Sequence, residues 1–198
     1  MLGSVLSIWH DARETADERG GNLNIDELPS MSALSAENQH TSIDALVVDK
    51  EAKTVFISDA KASIDVGAIA KGYATECVAR TFEERGVTGY VLNVGGNVRA
   101  LGTKPSGENW TVGIEDPDGG DYLEYLSLDG MSVVTSGSYQ RYYYVEGKPY
   151  HHIIHPDTLM PAEGFTSVSV VCRDSGLGDA LSTALFCLSL DAGLALVE

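Results

Sequence analysis

Asp179 and Thr183 stand four residues apart within an apolar segment. On a helix that spacing places a carboxylate and a hydroxyl on one face, where both could meet a hard cation. Oxygen donors of this kind suit magnesium rather than zinc. In the competing reading Asp179 caps a helix that starts after Gly178, and Thr183 is an ordinary interior residue.

A second group lies in Gly67-Ala-Ile-Ala-Lys71-Gly72. It is not a P-loop, because the order is Lys-Gly rather than Gly-Lys and Tyr73 stands where Ser or Thr would hold magnesium. What remains is a strand end, a glycine that lets backbone approach a ligand, and Lys71 on the first turn of a helix whose N–H groups favour an anion. A turn followed by a solvated lysine satisfies the same residues. Asn93-Val94-Gly95-Gly96-Asn97 also follows a strand but lacks the full G-x-G-x-x-G spacing. It forms a backbone nest for phosphate or a tight turn, and the residues alone favour the turn.

His151, His152 and His155 are three of the five histidines. His152 stands where a zinc-binding helix needs Glu. In an extended segment His151 and His155 point one way and His152 the other. One imidazole could then enter a pocket as a proton-transfer group while the others meet solvent, although an exposed strand histidine is the commoner arrangement. Thr135-Ser136-Gly137 ends a strand and offers two hydroxyls. Chain order assigns no Ser-His-Asp triad.

The elements that must position these groups can be read from periodicity. Residues 2–16 suggest a helix, and 17–41 a polar loop with at most a short helix over 31–37, within a polar loop region counted over 13–41. Residues 43–48 and 54–58 suggest a hairpin around Asp49-Lys50-Glu51. A helical period follows, with Ile69, Tyr73, Ala74, Cys77, Val78 and Phe82 on one face and Gly86 as the stop. Strands are expected over 89–94, 110–114, 123–128, 132–135, 139–145, 150–154 and 166–172, with Glu146-Gly147 as a hairpin turn. An apolar helix is expected over 179–190. This strand-rich order with two strong helices favours α+β over a regular βαβ repeat.

The chain has 198 residues, 43% hydrophobic and 21% charged, and a net charge of -16. Such a length fits one domain with enough apolar material for a core. The acidity excludes a direct grip on nucleic acid, which needs a basic surface. A phosphate ligand would have to be held by backbone N–H groups, a few placed lysines or a metal. Cys77, Cys172 and Cys187 are an odd, unclustered set, excluding a disulfide framework or Cys-rich zinc site and reading as small buried hydrophobes. No run reaches the roughly 18 apolar residues of a transmembrane helix.

In chain order, five segments resemble one family, the ApbE-type FAD:protein FMN transferases: Asp65-Val-Gly-Ala-Ile-Ala-Lys-Gly-Tyr73, Leu92-Asn-Val-Gly-Gly-Asn97, Thr135-Ser-Gly-Ser-Tyr-Gln-Arg141, Tyr150-His-His-Ile-Ile154 and Gly178-Asp-Ala-Leu-Ser-Thr-Ala184. Each is weak singly; their shared order over most of the chain is specific.

The resemblance implies an α+β, ApbE-like (T-fold-related) fold, with a mixed, mainly antiparallel sheet packed with helices. It implies a Mg2+-dependent enzyme that cleaves the pyrophosphate of its substrate FAD. FMN would pass to a Thr or Ser hydroxyl of an acceptor flavoprotein, releasing AMP. By matched position, Asp179 and Thr183 resemble metal ligands, with the backbone carbonyl of Ala68 as a third. Asp65 and Lys71 resemble FAD contacts, Gly95, Gly96, Thr135 and Ser136 line the cofactor site, and His152 acts beside the pyrophosphate. The same site would serve an FAD pyrophosphatase giving FMN and AMP, or a non-catalytic flavin-binding fragment.

The chain departs from the family pattern after the histidine run, where His155-Pro156-Asp157-Thr158-Leu159 replaces Asp-Pro followed by Thr-Gly. This leaves His152 and His155 as competing candidates. The resemblance also suggests a single family domain over 1–198, trimmed at both ends. Family members are often exported or membrane-anchored lipoproteins, and this chain carries no segment that decides its compartment.

Overall fold

Val5, Trp9, Ala12 and Ala16 recur at helical spacing and form the buried stripe of α1 (Gly3–Glu18). The structure is a computed structural model that describes residues 2–198. Met1, with which the expected single domain begins, lies outside them. After α1 come β1 (Asn22–Leu23), α2 (Met31–Asn38), β2 (Leu46–Asp49), β3 (Thr54–Ile57), α3 (Gly67–Glu84), β4 (Tyr90–Val94) and β5 (Asn97–Leu101). Then follow β6 (Trp110–Glu115), β7 (Tyr122–Leu128), β8 (Met131–Gly137), β9 (Tyr142–Val145), β10 (Lys148–His151), β11 (Ser167–Cys172), α4 (Ser175–Cys187) and α5 (Leu190–Val197). The architecture is α+β and mainly antiparallel, as expected; β1 and β9 pair in parallel.

The chain divides into two compact units. The first joins the residues up to Asp65 with Gln140–Ala162. Its three-stranded sheet runs β1-β9-β10. The α1 stripe packs with Leu23, Leu34, Tyr143, Val145, Ile154 and Leu159. Glu146 and Gly147, at φ 49 and 81, make the two-residue turn between β9 and β10. β2 and β3 form a separate antiparallel hairpin, as their pattern predicts.

The second unit joins Val66–Tyr139 with Glu163–Glu198 around a four-stranded sheet ordered β11-β8-β5-β4. α4 packs on β8, β11 and β5, and α3 packs along α4. Ala100, Leu128 and Val133 form a second apolar cluster with Trp110, Val112, Ile114 and Leu126 of the β6–β7 hairpin.

Several elements differ from expectation. The buried face of α3 is Gly72, Thr75, Glu76 and Ala79, whereas Ile69, Tyr73 and Val78 of the apolar stripe are exposed. Small and ion-paired residues face α4 because the two helices approach closely. Cys77 on that stripe is exposed, while Cys172 and Cys187 are half-buried, with their thiol pKa values raised by burial. α4 starts at Ser175 rather than near Asp179, because the Asp174 side chain accepts the Leu177 N–H and caps it. β10 ends at His151 instead of reaching Ile154. Ile153 and Ile154 are both buried, which breaks strand alternation, and Ile154 pairs only as an isolated bridge with Pro161, which has no N–H to extend a ladder.

Candidate functional site

In the second unit Asp179 is 3% exposed and lies inside α4, one turn beyond the cap. Its Oδ2 accepts the Gly72 N–H of α3 at 2.7 Å, and its Oδ1 lies 3.7 Å from Lys71 Nζ. A Cβ on Gly72 would come within 2.2 Å of the Ser175 carbonyl oxygen and 2.6 Å of Asp179 Cβ. Glycine therefore sets the distance at which α3 delivers an N–H to a buried carboxylate. Thr183 Oγ1 donates to the Asp179 carbonyl at 3.3 Å and lies 3.3 Å from Ser136 Oγ. Ser182 Oγ lies 2.8 Å from Ser136 Oγ and donates to the same Asp179 carbonyl at 3.1 Å. Asp179 thus meets Gly72 and Lys71 through its carboxylate and Ser182 and Thr183 through its backbone carbonyl, with Ser136 against those two hydroxyls, and the cap role for Asp179 is excluded.

Gly95 and Gly96, at φ 55 and 86, are the two-residue turn between β4 and β5, where Val94 pairs with Asn97. A Cβ on Gly95 would lie 3.9 Å from Lys71 Cδ, so the lysine stem runs beside this turn. Lys71 is the fifth residue of α3, beyond the first turn on which the sequence placed it, and no strand directly precedes that helix among the described residues. Ala68 lies in the first turn and is exposed. Thr135 and Ser136 separate: Ser136 faces α4, whereas the Thr135 hydroxyl bonds Ser169 directly across the strand pair at 2.7 Å. Thr135 does reach the glycine turn through its backbone N–H, which donates to the Gly96 carbonyl at 3.1 Å.

These groups fit a magnesium ion by chemistry. Among the described residues no three His, Cys, Asp or Glu side chains cluster as a metal site. One carboxylate, one hydroxyl and the backbone carbonyl of the exposed residue Ala68 would make an oxygen-only set of low charge. Magnesium accepts such sites because it keeps waters and takes substrate phosphates as further ligands. The Gly72 N–H is also the ordinary helical donor to the Ala68 carbonyl, four residues back. Its bond to Asp179 is consistent with a carbonyl that has lone-pair capacity to spare.

The first unit holds Asp65 and the histidines. Asp65 is exposed and immediately precedes Val66, the residue before α3. Trp9 and Tyr143 each stack on Tyr150, at 6.2 and 6.0 Å between ring centroids, and so anchor β10 beneath the histidine run. His151 Nε2 lies 2.9 Å from the Ala162 carbonyl, and its Nδ1 accepts the Ile153 N–H. His155 Nδ1 accepts the Asp157 and Thr158 N–H groups at 3.1 and 3.4 Å, so the ring shapes its own turn. His152 differs. Its Nδ1 lies 3.3 Å from the Arg141 carbonyl, which fixes Nδ1 as the protonated nitrogen, and among the described residues Nε2 has no partner. His152 is exposed as a residue, yet loss of hydration by the protein near its ring, with Arg141, His151 and Arg13 nearby, outweighs the bond to the Arg141 carbonyl and lowers its pKa to about 4. The ring is therefore neutral at physiological pH, with a lone pair on Nε2.

Residues 1–198 match the family model described as the ApbE family. The chain belongs to that family. Among ApbE relatives, the FAD:protein FMN transferase of Klebsiella pneumoniae is 34% identical over 85% of this chain and 52% of its own length. The crystal structure of the ApbE protein of Thermotoga maritima has a TM-score of 0.73 and 36% identity, covering 84% of this chain and 53% of that one. The apo flavinyl transferase ApbE of Pseudomonas stutzeri also has a TM-score of 0.73, at 33% identity, covering 86% of this chain and 53% of that one. The chain spans about half the length of the ApbE relatives it matches.

Sequence reading of this ApbE chain missed Gly72, Ser175 and Ser182 as site neighbours. For Gly72 a signal existed, because a helical glycine beside Lys71 invites a close helix crossing. For the serines there was none, since hydroxyls in an apolar run declare no partner.

Proposed function

We propose that this chain carries the catalytic core of a magnesium-dependent FAD:protein FMN transferase, acting on a Thr or Ser hydroxyl of an acceptor flavoprotein and releasing AMP. The observation that carries this reading is the convergence of Asp179, Thr183, Ser136, Lys71 and the Gly72 N–H in a chain of the ApbE family. A pyrophosphate brings several negative charges to a protein of net charge -16. Local neutralisation by a lysine, backbone donors and a divalent ion answers that problem.

Asp179, Thr183 and the Ala68 carbonyl would hold the magnesium, which when bound supplies charge neutralisation on phosphate oxygens. Lys71 would contact phosphate, with Gly95, Gly96, Thr135, Ser136 and Asp65 as further FAD contacts. His152 is the residue proposed to accept the hydroxyl proton, because its Nε2 is unprotonated and unpartnered among the described residues, while His155 Nδ1 is occupied by its turn. In the transfer a bond forms between the hydroxyl oxygen and the FMN phosphorus. The bond from that phosphorus to the oxygen of AMP breaks, and AMP leaves with the electron pair.

The test incubates the full-length protein with FAD, magnesium and an acceptor domain. A gain of one FMN less a water in the acceptor's mass, lost when the acceptor Thr or Ser is replaced, is expected. AMP and free FMN appearing without acceptor, and no mass gain with it, would replace this reading by the pyrophosphatase. No consumption of FAD under either condition would overturn both.

A further inference from the structure

Asn97 is fully buried and has no part in the roles assigned above. It follows the Gly95-Gly96 turn as the first residue of β5 and grips a single residue twice. Its Oδ1 accepts the Ser175 hydroxyl, and its Nδ2 donates to the Ser175 carbonyl at 3.4 Å. Ser175, also fully buried, is the first residue of α4. Its N–H, one of the donors a helix start leaves without an internal partner, goes to Glu76 Oε2 of α3 at 3.1 Å. Glu76 is held in turn by Arg99 Nη1 at 3.3 Å.

Ser175 and Asp179 lie one turn apart on α4 and straddle Gly72. The Ser175 carbonyl oxygen and Asp179 Cβ are the nearest obstacles to a Cβ there. Any slide of α4 along its axis would move Ser175 and Asp179 together and break the bond between Asp179 Oδ2 and the Gly72 N–H. Apolar side chains could fill this space without the desolvation cost of an amide and a hydroxyl. What the polar pair adds is a fixed register, because its hydrogen bonds are met in one position of the helix and lost in others.

We propose that Asn97 is a positioning residue for the Asp179 site: through Ser175 it fixes the register of α4 on α3, and so places the Asp179 carboxylate for its ligand. The inference about ligand binding rests on reading Asp179 as a magnesium ligand; the inference about register does not.

The experiment compares Asn97→Ala, Ser175→Ala and the double variant with the parent, all as the full-length protein. Hydrogen exchange and the amide shift of Gly72 are read by NMR without metal, and Mg2+ affinity is read by calorimetry. The expected result is at least about tenfold faster exchange at Gly72 in each single variant, and a roughly 10- to 100-fold loss of Mg2+ affinity. The double variant should lose no more than Asn97→Ala alone, since that substitution already removes both bonds to Ser175. A folded Asn97→Ala with lower melting temperature but an unchanged Gly72 amide and unchanged Mg2+ affinity would make the pair merely structural and overturn the proposal. Should Asn97→Ala fail to fold, Ser175→Ala alone decides by the same readings. A parent that binds no Mg2+ while the Gly72 amide responds to both substitutions would reject the metal reading and sustain the register role.

Discussion

The Gly72 N–H donates to Asp179 Oδ2 at 2.7 Å across the crossing of α3 and α4. The contact joins a steric and an electrostatic requirement at one point: the absent side chain lets the helices meet, and the meeting gives a buried carboxylate a donor. The other Asp179 oxygen lies 3.7 Å from Lys71 Nζ, a distance that attracts without closing a tight hydrogen bond. The buried carboxylate is thus held on one side by backbone and faced on the other by a lysine.

Gly72→Ala should test the steric half. Its Cβ would meet backbone oxygen at 2.2 Å, and backbone cannot rotate away as a side chain can. The helices must separate, which costs about 1–3 kcal/mol as overpacking. A urea midpoint unchanged from the parent would contradict the close crossing.

Asp179→Asn should separate fold from site. The amide oxygen can still accept from Gly72, so melting should shift little. The charge that faces Lys71 and would bind magnesium is gone. Mg2+ affinity and FMN transfer should each fall by more than the roughly 10- to 100-fold typical of losing a ligand's supporting partner. Chelation of magnesium should silence the parent to the same floor. An Asp179→Asn protein with parental transfer would remove Asp179 from the metal.

Thr183→Val keeps the shape and deletes the hydroxyl that lies 3.3 Å from Ser136 Oγ and from the Asp179 carbonyl. Thr183→Ser keeps the hydroxyl. Transfer and Mg2+ affinity should be lost in the valine variant and largely restored in the serine one. Parental transfer and Mg2+ affinity in the valine variant would show that the oxygen is not needed.

Much of this arrangement was legible before any coordinates. The helix over 2–16 and the Glu146-Gly147 turn are local patterns with local causes, and both are present. The proximity of Asp179 and Thr183 follows from helical spacing alone. What escaped reading depends on partners distant in sequence. β5 was missed because Arg99 interrupts its apolar run; the residue is 7% exposed and held by Glu76 and Glu83 of α3. The face of α3 was misjudged because apolar periodicity marks Ile69 and Tyr73, while the real contact uses the smallness of Gly72 and the charge of Glu76. Polar burial of this kind leaves no periodic trace.

The histidines of the first unit give a pH prediction with a definite sign. Burial lowers the pKa of His151, and lost hydration together with the neighbouring Arg141, His151 and Arg13 lowers His152 to about 4. In the unfolded chain both rings titrate near the ordinary value of about 6.5. Below about pH 6.5 the unfolded state therefore binds more protons than the folded one, and stability falls as the pH drops from there toward the folded values. Glu83 adds to the loss at still lower pH, because its hydrogen bond from Tyr90, with Arg99 nearby, holds its carboxyl below the usual range. Replacing both histidines by Gln should flatten the upper part of this dependence and leave the lower part in place. The same shift bears on activity, since kcat/KM reports ionisations of the free enzyme. With His152 already neutral, the profile should stay level between about pH 6 and 7 where an ordinary histidine base would give a rise. NMR titration of the imidazole C–H signals checks the premise directly, and a His152 midpoint near that of an unperturbed histidine would defeat it.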